Sequence, residues 1–177
     1  MPTRTDSRKE SLRGLRSKWL TVLLAAGFTS ILSSAQIISP RSATPYSPKH
    51  LYSETADPAA DIKAALAQAR REHKRVILDF GGDWCGDCQV LYIYFHQKPN
   101  ADLIAKHFII VPIDIGQMDH NVDVAAKYKV PITKGVPALA VLDANGKLLY
   151  SQQTGQFENM RNMSVTSVTE FLNRWKG

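Results

Sequence analysis

Cysteine is nearly absent: the 177-residue chain has two, Cys85 and Cys88. With no further Cys there is no structural disulfide for a reactive pair to scramble, and no thiol after the N-terminal apolar run to accept a lipid. Four-ligand metal sites normally show a second closely spaced pair, which is missing. A metal-binding reading would have to recruit histidines such as His96 or His120 beside the two cysteines, and no metal is expected. Long hydrophobic runs are missing too, since the uncharged stretch beginning at Trp19 covers about 14 residues against the roughly 20 that span a bilayer. The body of the chain also lacks an excess of one charge. Of the net +6, most sits in the first 35 residues, where Arg4, Arg8, Lys9, Arg13, Arg16 and Lys18 outnumber Asp6 and Glu10. The remainder is nearly neutral and gives no reason to invoke nucleic acid.

What is present at the N-terminus reads as an address. A basic segment ending at Lys18, an apolar run to Leu32 and the small residues Ser33-Ser34-Ala35 predict a secretory signal over residues 1–35. The product would be exported, periplasmic or extracytoplasmic. Gln36, Ile37 and Ile38 prolong the uncharged stretch, so an uncleaved anchor remains the alternative, and only then would a membrane be a partner. Residues 36–56 contain Pro40, Pro45 and Pro48 with no hydrophobic period, which predicts a flexible linker. The globular domain is expected over residues 57–177.

Within that domain the pattern alternates. Asp57 suits an N-cap and Pro58 the first helical position, with Ile62, Ala65, Leu66 and Ala69 at helical spacing. Val76-Ile77-Leu78-Asp79-Phe80 reads as a buried strand carrying one misplaced charge. Gly81-Gly82 permit a turn, and a helix follows from about Cys85 to Gln97. A short helix over 101–107, a strand over 108–114 and another short helix over 122–128 come next. The strand 136–142 then meets a partner at 147–150 through the Asn145-Gly146 turn signal, and an amphipathic helix over 164–175 closes the chain. Strands separated by helices imply parallel crossovers, with an antiparallel edge from the late hairpin. The fold class is α/β, a central mixed sheet with helices on both faces.

Two residues between the cysteines close too small a loop for a disulfide to act as a staple. A reactive pair fits better: one thiolate attacks and the second resolves the mixed disulfide. Asp79-Phe80-Gly81-Gly82-Asp83-Trp84-Cys85-Gly86-Asp87-Cys88 resembles the active-site segment of the thioredoxin family, and Gly135-Val136-Pro137 resembles that family's second signature. The element order from about Ala56 to Trp175 matches as well. The longer segment after Cys88 is similar to thioredoxin-like domains of exported bacterial proteins, such as the periplasmic domain of the transmembrane thiol:disulfide interchange proteins.

The resemblance implies a thioredoxin-like fold, a thiol-disulfide oxidoreductase and a cis Pro137 lying against the active-site disulfide. Val136 and Pro137 would bind substrate by strand addition, with Trp84 shielding the disulfide and offering a contact surface. Cys85, at a helix N-terminus that favours a thiolate, is expected to be the nucleophile, and Cys88, one turn in, the resolving thiol. Asp79, desolvated within an apolar strand, is the candidate proton acceptor. Spacing alone leaves open an Asp at a strand end satisfied by backbone N–H groups, and the resemblance favours function. Gly86 and Asp87 between the cysteines would tune the pair: a carboxylate there opposes a nearby thiolate, which leans toward a reductant. Asp83 is expected to be an exposed turn residue. The partners implied are protein or small-molecule disulfides and thiols and an upstream electron donor, with no cofactor beyond the Cys85–Cys88 disulfide and a monomeric chain. An oxidase or isomerase, and a redox-silent interaction module, remain alternatives.

Overall fold

Apolar β-prone residues place β1 (Arg75–Gly81) at the middle of the sheet, where it is buried along nearly its whole length. The computed structural model describes residues 48–177. The expected signal and most of the expected linker lie outside the described residues. The helix α1 (Pro58–Glu72) starts as its sequence dictates: the Asp57 carboxylate accepts from the Ala59 and Ala60 amides, and Pro58 takes the first position, where no N–H is needed. It ends at His73 in the left-handed conformation.

After β1 come α2 (Gly86–Phe95) and α3 (Asn100–His107), which return the chain to β2 (Phe108–Asp114), parallel to β1. The turn between these helices contains a cis Lys98–Pro99 bond. A six-residue helix α4 (Val122–Lys127) and a 3-10 turn (Ile132–Lys134) lead to β3 (Ala138–Leu142), which pairs with β4 (Leu148–Ser151) through the Asn145-Gly146 turn. The last helix is α5 (Val165–Trp175). The spatial order of the sheet is β2-β1-β3-β4.

The expectation of parallel crossovers throughout is corrected at β3, which lies antiparallel to β1, with Phe80 opposite Ala138 and Val76 opposite Leu142. The connection is tied to the end where β2 finishes, since the Ile115 N–H donates to the Gly81 carbonyl and the Asn121 side chain to the Asp114 carbonyl, and β3 enters there. Pro137 is thereby delivered to the same sheet end as the Gly81-Gly82 turn.

Alternation along the sheet divides the core. Val76, Leu78 and Phe80 pack on one face with Ile62, Ala65 and Ala69 of α1 and with Ala125 of α4. Ile77, Leu139 and Val141 face the other way, against Leu91 and Phe95 of α2 and Val168, Phe171 and Leu172 of α5. Helices thus cover both faces, as the sequence predicts. Asp79 falls among these apolar strand positions, opposite Pro112 on one side and Leu139 on the other.

The flexible-linker expectation for 36–56 is corrected over its described part. Tyr52 is buried in the core, and the Leu51 and Tyr52 amides both donate to Asp83 Oδ1, at 2.7 and 3.0 Å. The Gln89 side chain exchanges hydrogen bonds with the backbone of Lys49. One aromatic anchor and a few polar clamps hold a strap that has no hydrophobic period. No described helix is long and apolar enough to cross a membrane.

Candidate active site

The turn Gly81-Gly82 at the end of β1 brings the chain to α2, and Cys85 occupies the N-cap of that helix with extended backbone angles. Its Sγ accepts the Cys88 N–H at 3.1 Å, filling one of the donor positions a helix start leaves open. The same arrangement favours negative charge on that sulfur. Cys85 and Cys88 are joined as a disulfide, with Cα atoms 5.2 Å apart. Both are buried, Cys88 more completely than Cys85.

Across from them stands the Val136–Pro137 peptide bond, which is cis. The Val136 carbonyl oxygen lies 3.6 Å from Cys85 Sγ, so the two sequence motifs meet. Trp84 is half exposed beside the pair, its Nε1–H donating to the Gly116 carbonyl at 2.7 Å. The indole lies over Gly82, where an added Cβ would come 2.6 Å from Nε1. Trp84 is therefore a pinned surface aromatic and not part of the core. Together Trp84, Cys85, Gly86, Met118, Val136 and Arg161 line an open groove of about 480 Å³.

Asp79 is buried in β1, two residues before the Gly81-Gly82 turn that leads to the cysteines. Its Oδ2 accepts the Tyr52 phenol at 3.1 Å, and no described residue donates to Oδ1. Burial pushes the carboxyl up to about 7, opposed by the Tyr52 hydrogen bond. Burial likewise raises the Tyr52 phenol well above its ordinary range, and the Asp79 charge adds to it. The alternative of an Asp satisfied by backbone amides does not describe this residue. Tyr52 also reaches toward the cysteines: a Cβ on Gly81 would lie 2.5 Å from Tyr52 Oη and 2.8 Å from Cys88 Sγ. The glycine leaves the space in which the phenol and the inner sulfur come near one another.

Two expectations about carboxylates are corrected. Asp83 is not a bare turn residue: besides the two strap amides it accepts from His50 Nδ1 at 2.8 Å. Burial raises its carboxyl, but these hydrogen bonds outweigh burial and hold it below the ordinary range. Asp87 does not stand as an unpaired charge against Cys85. It is buried, and Arg161 meets it with its backbone N–H at 2.9 Å, Nε at 3.2 Å and Nη2 at 3.0 Å.

Tyr52, Arg161 and the clamping role of Asp83 escaped the sequence reading. Tyr52 lies in a proline-rich stretch without period, and Arg161 is 74 positions from its partner, so neither leaves a local signal. Of the histidines weighed as metal ligands, His96 Nδ1 lies 2.8 Å from the Tyr92 carbonyl oxygen and His120 Nδ1 lies 3.1 Å from Asp114 Oδ2. Among the described residues no group of three metal-ligating side chains forms.

Comparison with known proteins agrees with this geometry. A family model described as thioredoxin-like matches residues 57–144. The chain is 26% identical over 119 residues to the thiol:disulfide interchange protein DsbD of Pseudomonas fluorescens, covering 66% of this chain but 18% of that protein. A second interchange protein, DsbD 2 of Pseudomonas aeruginosa, is 29% identical over 113 residues, 60% of this chain and again 18% of that protein. The chain thus spans under a fifth of the length of these relatives. The crystal structure of a disulphide isomerase from Xylella fastidiosa superposes with a TM-score of 0.68 at 37% identity, covering 72% of this chain and 98% of that one. With the paired cysteines at a helix start against a cis proline, these matches show that the chain belongs to the thioredoxin-like family.

Proposed function

We propose that the protein is an exported disulfide reductase. In this reading the Cys85 thiolate attacks one sulfur of a substrate disulfide, forming a mixed disulfide and releasing the first substrate thiolate. The Cys88 thiol then passes its proton to Asp79, and its sulfur attacks Cys85 Sγ. The second substrate thiolate leaves, and two electrons have moved from the dithiol to the substrate. Substrate backbone would pair beside Val136 and Pro137, with Trp84 and Met118 as contact surface. A separate thiol donor must then reduce the Cys85–Cys88 disulfide. Export rests on the signal-like residues 1–35.

The observation that carries the reading is Asp79, buried, without a partner at Oδ1 among the described residues and poised near neutrality. A base serving the inner thiol is needed when substrates arrive as disulfides and must be resolved. An isomerase can let a substrate thiol displace Cys85 and leave Cys88 idle. The Xylella fastidiosa relative, titled a disulphide isomerase, makes that the second reading. Cys88→Ser separates them. Loss of reduction of a protein disulfide, with substrates trapped on Cys85, supports the reductase. Retention of full shuffling activity by the variant supports the isomerase, and activity in Cys85→Ser would overturn both.

A further inference from the structure

Arg161 stands on the segment between β4 and α5, outside the residues that the family model matches. It nevertheless reaches the residue between the two cysteines. Three of its N–H groups converge on Asp87, two on Oδ1 and one on Oδ2, while 69% of the Arg161 side chain stays exposed. Bidentate pairing of this kind fixes both partners in position as well as in charge. The nitrogen left over, Nη1, faces the start of α2 and would lie 3.8 Å from a Cβ on Gly86.

The charges around Cys85 make this pairing consequential. Asp87 lies on its own helix, two residues along. Across the groove stand Glu158 and Arg161, and Arg161 is the one cation among the lining residues. Asp83 precedes Cys85 and is occupied by the strap, and Asp79 is bonded to Tyr52, whose hydroxyl approaches Cys88 at Gly81. Without Arg161, every ionised side chain in this set would be an anion. A thiolate forming at Cys85 would then meet Asp87 uncompensated, against the pull of the helix N-terminus.

We infer that Arg161 is a positioning residue that, by holding and neutralising Asp87, keeps the Cys85 thiol acidic and sets how strongly the dithiol reduces. Opposite charges cancel near the sulfur, so the thiolate retains the benefit of its helix-start position. Losing the cation disfavours the thiolate, destabilises the reduced form relative to the disulfide and makes the protein a stronger reductant. This rests on Cys85 being the attacking thiol.

The test is a charge cycle in the full chain. In a Cys88→Ser background the Cys85 thiolate is titrated by its absorbance near 240 nm for the parent, Arg161→Gln, Asp87→Asn, the double variant and Arg161→Lys. Arg161→Gln should raise the Cys85 pKa by about one unit, Asp87→Asn should lower it, and the double variant should return near the parent. Arg161→Lys should recover most of the shift. With both cysteines present, the equilibrium constant against glutathione should favour the disulfide form of Arg161→Gln by roughly three- to tenfold at pH 7. An unmoved pKa in Arg161→Gln would overturn the inference. So would shifts of the same sign in both single variants with a lowered Tm, since that marks a loosened loop. Alkylation mapping of the reduced parent keeps the two claims apart: modification at Cys88 before Cys85 removes the assumed nucleophile, whereas an unmoved pKa with Cys85 modified first removes only the role of Arg161.

Discussion

The Tyr52 hydroxyl donates to Asp79 Oδ2 at 3.1 Å, tying a strap that precedes the first helix to the buried carboxylate in the central strand. It is the one hydrogen bond that the Asp79 carboxylate receives among the described residues, and it favours the ionised form. Tyr52→Phe removes the donor without emptying the space. The Asp79 pKa should then climb from about 7, and the pH at which disulfide reduction reaches half its maximal rate should move up by roughly half to one unit. The pH–rate profile checks this, and a midpoint that stays put would detach Tyr52 from the proton step.

Asp79 also makes folding stability depend on pH in a known direction. Its folded-state pKa of about 7 lies above the ordinary 3.8, so the folded protein holds this proton more tightly than the unfolded chain. Full stability on this account is present below about pH 4 and is lost as the pH rises toward 7. Asp79→Asn does not titrate and removes that loss. The variant should match the parent near pH 4 and exceed it at pH 8, the full electrostatic difference being on the order of 4 kcal/mol. Urea unfolding of the oxidised proteins at the two pH values measures it. A parent as stable as the variant at pH 8 would mean that Asp79 is not held protonated by burial. The same variant should release substrate slowly while attacking it at the normal rate.

How much of this was legible follows from how local each signal is. Asp57-Pro58, the Asn145-Gly146 turn and the Cys85–Cys88 spacing act within a few residues, and the structure places each where the sequence predicts. The cis bond at Pro137 came with the family resemblance and stands beside Cys85. The direction of β3 was hidden because the alternation of helix and strand does not reveal whether a connection crosses the sheet. The bonds Tyr52–Asp79 and Arg161–Asp87 join side chains 27 and 74 positions apart, and nothing near either residue announces its partner. A strap held by one tyrosine and a carboxylate reads as linker because packing by a single anchor needs no period.

Gly81 is where the strap and the cysteines compete for space. A methyl group there would lie 2.5 Å from Tyr52 Oη, 2.6 Å from Cζ and 2.8 Å from Cys88 Sγ, all closer than packed atoms tolerate. Cys88 is fixed by the helix and the disulfide, so the tyrosine must yield. Gly81→Ala should therefore expel Tyr52, cost about 1–3 kcal/mol of stability, and leave Asp79 without its donor. If relief comes from the strap, the cost of Gly81→Ala should shrink by about 1 kcal/mol or more once Tyr52 has been truncated to Ala, a coupling read from a double-mutant cycle. Hydrogen exchange gives a second readout, since the Leu51 and Tyr52 amides should lose protection in Gly81→Ala while β1 keeps its own. Additive costs with the strap amides still protected would show that the helix, and not the strap, gives way.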